Sequence, residues 1–532
     1  MKYHITQQDK NLLLQGSLQY ACRLFVLDKN RNVIDQLSSL QAAGTYSINS
    51  ESNIRRTTSF TMYLETSFRN ASVEKKLYEW IGYDFELQIG IYSLRDQDFV
   101  WYPCGYYLIT AANTAYNAAE NSITTALSDW YAKLSGSRNG QLGGALTISI
   151  PNKDSEGRPV TIKQAAEGLL KTTAASYIVE DIGQFYGMPQ NNADYLQYRR
   201  EHPLWNQLPY DLKYEAGCMM GDIFSEICGL YPNCQMYFDT YGCFCFHMIP
   251  SCENDPAVLD DSFLQEILVS DDSESVSYEI ESIRNVTEVF GADYEVDRYS
   301  PKCTTSANIY TIALEGYDAY QSSDLIAFMP DQANSANMRV RINGLDALAL
   351  YHDLTGKGIA AGALKAGRLY VLQIRRVDGA YTACFLGQYH PHALCVLTDS
   401  ADDRKYTKAY FAQKYNCDQD CITLRVEKES PFTVQKLGEL LDVKSGNQFA
   451  NILSDSAAME NAVYYNRMSS SARDTVTIQT KMIPFLDVNE KIEYRKQQEE
   501  QPHYYVVKSI VNQTDSCKST ITMSRFYPLY YV

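Results

Sequence analysis

Apolar and polar residues alternate with a period of two along Asp84-Phe85-Glu86-Leu87-Gln88-Ile89-Gly90, which leads through a polar connection to the aromatic-rich Trp101-Tyr102-Pro103-Cys104-Gly105-Tyr106-Tyr107-Leu108-Ile109. A second pair of this kind lies near the other end. Ile483-Pro484-Phe485-Leu486-Asp487-Val488-Asn489-Glu490-Lys491-Ile492-Glu493-Tyr494 leads to Tyr504-Tyr505-Val506-Val507-Lys508-Ser509-Ile510. Period two is the signature of a strand with one buried face, because successive side chains point to opposite sides of a sheet. Two such modules bracketing a long middle imply that the ends of the chain build one architectural unit.

The rest of the pattern divides the chain. Residues 1–135 read as β-rich, with strands over Cys22–Leu27 and the second half of Ser47–Leu64. Residues 141–275 mix helix and strand. Thr161 is an N-cap for a helix over Ile162–Leu170, and Met220, Ile223, Phe224 and Ile227 mark a second helix that Gly229 stops. Gln235–Phe238, Asp239-Thr240-Tyr241-Gly242 and Cys243–Phe246 read as a hairpin. Residues 306–400 form a small inserted β module, with strands over Met338–Leu345, Leu364–Ile374 and Ala380–Gln388. A connector spans 401–430. Gln448–Met468 reads as a helix with Phe449, Ile452, Leu453, Val463 and Tyr464 as buried positions, and Thr475–Thr480 and Ser519–Phe526 as strands. The fold class is mainly β with some α.

A length of 532 residues exceeds a single core, so about three or four domains are expected. No run approaches the roughly eighteen apolar residues that a membrane-spanning helix needs. The N-terminus lacks a signal-peptide core, so synthesis in the cytoplasm and reduced thiols are expected for the 14 scattered cysteines. The formal charge of −17 makes the protein a poor general ligand for nucleic acid, but suits a surface that DNA must pass without sticking. Tyrosine is abundant, 42 residues against 19 Phe and 4 Trp. Its ring packs while its hydroxyl stays hydrated, which favours strands and interfaces.

Candidate chemistry is sparse. Cys243, Cys245 and His247 share one face of a strand, while Phe244 and Phe246 share the other. They are the metal candidates, of zinc type. The spacing departs from paired CxxC motifs, and free cysteine commonly packs as a small hydrophobe, so no metal is expected. Cys417 and Cys421 are a weaker pair. Gly356-Lys357-Gly358 lacks the ending and the strand-to-helix context of a phosphate loop. His390-Pro391-His392 reads as a loop without a nearby carboxylate pattern, and the acid-rich stretch 260–281 as a solvated face or linker. No catalytic motif of the common hydrolases occurs, so no catalytic residue, cofactor or enzymatic activity is expected.

An ordered set of segments resembles phage tail baseplate hub proteins: Ser47-Ile48-Asn49 with Ile54-Arg55-Arg56-Thr57, Trp101–Tyr107, Ile283–Gly291, Ser430–Glu439, Pro484–Val488 and Thr522–Pro528. They cover most of residues 1–300 and 430–532. The resemblance implies two tube-like β-barrel hub domains, 1–135 and 276–305 plus 431–532, with a mixed α/β middle domain at 141–275. It implies a homotrimeric ring that adapts the sixfold tail tube to a threefold tip. The expected partners are a distal tail or tail-tube protein, a tip, fibre or spike protein, and a tape-measure protein, with DNA passing unbound. The place is the virion tail. The module at 306–400 departs from the family pattern and leaves a glycan-binding adhesin as the alternative, and a cell-wall hydrolase as a third reading.

Overall fold

The computed structural model describes residues 3–37, 44–63, 80–116, 121–156, 158, 160–173, 176–179, 208, 211–229, 234–248, 256–269, 274–291, 296, 298–300, 303–352, 356–377, 379–446, 449, 452, 454–470 and 473–525. Strands dominate and helices are few and short. Among the described residues no helix is long and apolar enough to cross a membrane.

After the helix Gln7–Leu13 come β1 (Tyr20–Leu27), β2 (Val33–Leu37), β3 (Thr45–Asn49), β4 (Arg56–Tyr63), β5 (Asp84–Ser93), β6 (Asp98–Tyr116) and β7 (Asn121–Asp129). The period-two pattern of β5 is realised: Phe85, Leu87, Ile89 and Ile91 are all buried in one core. The middle region carries β8 (Thr147–Ile150), β9 (Ser176–Val179), β10 (Leu212–Glu215), β11 (Cys234–Phe238) and β12 (Cys243–Met248), with the helices Ile162–Leu170 and Met220–Gly229. Both helices run as their sequence signals direct. Thr161 and Gln164 form a reciprocal capping box, and Ile223, Phe224 and Ile227 face the core that holds Phe244 and Phe246.

The helix Asp261–Ile267 then precedes β13 (Ser275–Glu279) and β14 (Val286–Phe290). Eight strands follow: β15 (Arg298–Ser300), β16 (Cys303–Ser306), β17 (Ile309–Ile312), β18 (Leu325–Phe328), β19 (Arg339–Ile342), β20 (Leu348–His352), β21 (Tyr370–Val377) and β22 (Ala380–Gln388). The chain ends through β23 (His392–Thr398), β24 (Ile422–Val426), β25 (Leu441–Lys444), the helix Asp455–Ser469, β26 (Arg473–Lys481), β27 (Lys491–Tyr494), β28 (His503–Gln513) and β29 (Lys518–Ser524).

The two ends of the chain form one 12-stranded sheet, in the order β13-β26-β29-β28-β3-β4-β7-β6-β5-β1-β2, with β27 also on β28. Within it, β3-β4-β7-β6-β5 and β13-β26-β29-β28-β27 repeat one order. The repeat holds residue by residue. Ser47 faces Thr57, which faces Ser128; Ser277 faces Thr475, which faces Ser524. Ile109 faces Leu127 before a bulge ahead of Ala111; Val507 faces Met523 before a bulge ahead of Ser509. Even the flanking helices correspond: Gln7–Leu13 touches β5, Asp261–Ile267 touches β27, and Lys10 of the first reaches Asp260 at the cap of the second, 3.1 Å away.

Several boundaries differ from the sequence reading. β14 and β25, expected in the second hub domain, lie instead with β23 and β24 in a separate four-stranded sheet, order β24-β23-β14-β25. The helix Asp455–Ser469 packs on it through Ala458, Met459, Ala462 and Val463. That helix starts later than expected because Ser454 caps it; Leu453 falls outside the described residues. The inserted module is the eight-stranded sheet β15–β22 with its own core. β23, expected inside the module, is fully buried and pairs with β14 and β24. The acid-rich stretch is not a solvated linker throughout. Asp260 caps a helix that buries Phe263, Leu264 and Ile267, and Glu274 accepts the Tyr494 hydroxyl at 2.7 Å.

Candidate functional site: the seam between the two halves

β3 and β28 join the halves as an antiparallel ladder, with Ile48 opposite Ile510 and Tyr46 opposite Asn512. Both isoleucines are buried, so the join carries apolar contact as well as hydrogen bonds. The Gly44 amide donates to Thr514 Oγ1 at 3.2 Å, and that hydroxyl donates back to Gly44 O at 2.8 Å.

Two arginines enter the seam from the start of β4. Arg56 is completely buried. Its backbone N–H donates to Asp129 at 2.9 Å. Its guanidinium donates to the Phe238 carbonyl of β11 and forms an ion pair with Asp487. Burial opposes the charge, but Asp487, Tyr46, Tyr107 and Asp129 together outweigh it and hold Arg56 above its ordinary range. Arg55 turns the other way. It donates to Gln235 and stacks 3.3 Å from the Tyr237 ring centroid, a cation–π contact that partly offsets its desolvation. Burial lowers its pKa. Gln235 also accepts from Asn489 at 2.5 Å. Burial pushes the Asp129 carboxyl up to about 6, against the amide N–H of Arg56.

The aromatic motif of β6 completes the packing. The register shift between Leu87 and Gln88 sets Cys104 opposite no partner, between Pro103 and Gly105. A bulge tolerates a proline that an unbroken central strand does not. Gly105 has φ +122°, and a Cβ there would lie 3.1 Å from Arg56 Cδ. Thus the segments around Ile54–Thr57, Trp101–Tyr107 and Pro484–Val488 meet at one place. Arg56 joins Asp487 to the Phe238 carbonyl, so the arrangement clamps the two halves of the sheet to β11 of the middle region.

The metal candidates divide. Cys243 and Cys245 do share a face of β12 while Phe244 and Phe246 are buried on the other; the side chain of His247 lies outside the described residues. Asp239, missed by the sequence reading, joins the two thiols, with the three ligand atoms within 4.8 Å of one another. Its Oδ1 accepts the N–H groups of Tyr241 and Cys243 at 2.9 and 2.8 Å, and Cys245 Sγ lies 3.8 Å from its Oδ2. The donor set fits a zinc-class ion with one open position. The turn also accounts for Asp239 unaided, because an aspartate at the head of a hairpin turn bonds the amides two and four residues on. Every described cysteine thiol with a shifted pKa is shifted upward, by burial first. Such thiols are poor nucleophiles.

Other candidates resolve as structure. Gly356 sits in a turn with positive φ. Cys417 and Cys421 are buried. His392 is not a bare loop residue: its Nε2 lies 2.9 Å from buried Glu288, and its ring stacks on Phe290 with centroids 4.4 Å apart. A cavity of about 540 Å³ lies where the module meets the four-stranded sheet, lined among others by His352, Tyr370, Phe385, Gln388, Asp420 and Ser456.

The family described as "Domain of unknown function (DUF5048)" matches residues 429–530. No curated protein matches the chain. The solved structures that it is similar to include the tail protein from Neisseria meningitidis MC58, at 8% identity and a TM-score of 0.43, covering 96% of this chain and 99% of that one. The 43 kDa tail protein of prophage MuSo2 from Shewanella oneidensis aligns at 9% identity and a TM-score of 0.44, with 96% and 99% covered. Prophage tail protein gp18 from Listeria monocytogenes EGD-e aligns at 8% identity and a TM-score of 0.40, with 94% of each chain covered.

Proposed function

We propose that the chain is a structural baseplate hub protein of a phage tail, trimerising into a ring that adapts a sixfold tail tube to a threefold tip and lines the DNA channel. The observation that carries this reading is the register-matched repeat of two five-strand units in one sheet. Taken as two tube-type barrel domains per chain, the repeat gives three chains six equivalent units, which is the count a sixfold tube needs. Three of the hub-like segments, around Ile54–Thr57, Trp101–Tyr107 and Pro484–Val488, meet at the seam that joins the units. A charge of −17 suits a wall past which phosphates must slide. The partners on this reading are the tail-tube or distal tail protein above, a fibre, spike or tip protein below, and the tape measure within. The role is structural rather than enzymatic.

Images of particles assembled from the full chain and its neighbouring tail-tube protein test this. A threefold ring with six similar lobes supports it; particles of any other symmetry, or a lumen lined mainly by Lys and Arg, contradict it.

A second reading, a glycan-binding role for the inserted module, draws on the cavity at the module's base. The half-buried ring of Phe385 beside Gln388, Asp420 and His352 is the kind of mix that stacks on and hydrogen-bonds a sugar. A glycan array probed with the full chain tests it, and the absence of binding removes it.

A further inference from the structure

Ile48 and Tyr278 hold the same position in the two repeats, since Ser47 and Ser277 occupy matching places opposite Thr57 and Thr475. Their surroundings differ. Ile48 is 2% exposed and Tyr278 is 55% exposed. The cause is visible in the ladder. The outer edge of β3 is covered by β28, from Ser509 to Gln513. The outer edge of β13 is covered by no described strand. The repeat also says what is missing. Through the paired bulges, Ser509 of β28 corresponds to Ala111 of β6, so Ser509–Gln513 corresponds to Ala111–Ala115. Beyond Tyr107, β6 pairs with β7 on one edge, and its other edge meets no described strand. Among the described residues the chain therefore contains one complete joint, β28 on β3, and the two halves of a second.

We propose that β6 of one chain, from Ala111 to Ala115, pairs antiparallel with β13 of a second copy, in the register that β28 adopts on β3. This rests on the hub reading above and specifies its contact between copies. Transferring the observed pairs fixes the register: Ala111 faces the partner's Glu279, Ala112 the partner's Tyr278, Asn113 the partner's Ser277, Thr114 the partner's Val276 and Ala115 the partner's Ser275. An unpaired edge with an exposed aromatic is a template for another strand. The two edges are different surfaces, so the contact is head-to-tail, and such contacts close into rings when the rotation permits. Tyr278 and the neighbouring Ile280, which is 67% exposed, then become covered, and each joint of the ring repeats the seam within the chain.

The experiment uses full-length chains assembled with the tail-tube protein and imaged before mild oxidation. Asn113→Cys/Ser277→Cys and Ala111→Cys/Glu279→Cys probe two positions in the proposed register. Asn113→Cys/Ser275→Cys is the control, displaced by two residues. The expected result is covalent trimer from at least one in-register pair and none from the control. Mixing the single variants Asn113→Cys and Ser277→Cys gives covalent dimer only. Tyr278→Asp, at an exposed position of the free chain, is expected to leave its melting temperature unchanged and to abolish the ring. Threefold rings that cross-link in neither register pair, or that form normally with Tyr278→Asp, overturn the proposed contact while leaving the hub reading intact. If no threefold ring forms with unmodified chains, the hub reading falls and the contact with it.

Discussion

The two halves of the large sheet share one strand order but reach it by different routes. β3 and β4 are connected through residues 50–55, whereas β13 and β26 are separated by residues 280–472. For a flexible loop the longer closure costs only about 3 kcal/mol more, since the penalty grows with the logarithm of length. The longer path is not flexible: it folds into two sheets with cores of their own. The halves differ at their rims as well. The first is extended by the hairpin β1–β2, while in the second the short β27 is met by a single bridge from Leu259 to Ile492. Thus the hydrogen-bond order is what the repeat retains, and connections and rims are where the halves diverge.

The strongest way to break the equivalence is at the seam. Asp487→Ala leaves the Arg56 guanidinium buried without its counter-charge, and should cost about 3–5 kcal/mol, read as an earlier urea midpoint. A loss below about 1 kcal/mol would mean that the pair is not needed to hold the halves together.

Asp129 gives a smaller effect, with a defined sign. Its carboxyl is pushed up to about 6 in the folded chain, against an ordinary value near 4 when unfolded. Between those values the folded state holds a proton that the unfolded state has released. Its contribution is fully present below pH 4 and is lost as pH rises through 6, by on the order of 3 kcal/mol. Stability measured against pH should therefore fall more steeply across this window for the natural chain than for Asp129→Asn. Parallel curves would refute the assignment.

Removing the inserted module shortens the long path between β13 and β26. The Gly291 amide donates to Pro391 O at 2.8 Å, so the module leaves and returns at adjacent points. Asp418 pairs with Lys365 and Arg368 of the module, so Asp418→Asn should accompany replacement of residues 292–390 by a short Gly/Ser linker. The cost should be on the order of 1 kcal/mol, with cooperative melting retained. Loss of cooperative melting would show that the module is part of the sheet's core.

The smallest test compares the flanking helices. Thr6 caps Gln7–Leu13, and Asp260 caps Asp261–Ile267. Thr6→Ala and Asp260→Ala should each cost about 1 kcal/mol. The Lys10–Asp260 contact adds little to the second, because the carboxylate is half exposed. A several-fold difference between the two caps would argue against equivalent roles for the helices.

Much of this was legible in residue pattern. The alternation of Phe85, Leu87 and Ile89, the cap at Thr161 and the hairpin around Asp239 each depend on neighbours within a few positions, and the fold realises them. The segments Ile54–Thr57, Trp101–Tyr107 and Pro484–Val488 marked the seam without showing that Arg56 and Asp487 meet there, because their separation of hundreds of residues leaves no periodic trace. The same limit hid Glu288 from His392 and moved β14, β23 and β25 into a sheet of their own: an apolar run such as His392–Thr398 looks alike whichever sheet buries it. Asp239 was visible only as a turn residue, since a carboxylate that orders a turn and one that faces two thiols have one sequence signature.

Amide hydrogen exchange, read peptide by peptide in the free chain and in the assembled ring, distinguishes a shared joint from two unrelated ones. β3 and β28 should exchange slowly in both states. β13, and β6 beyond Tyr107, should exchange quickly in the free chain and as slowly as the seam once assembled. A seam that exchanges as fast as the free edges, or a β13 edge that stays fast inside a threefold ring, would contradict the claim that one joint is used both within and between chains.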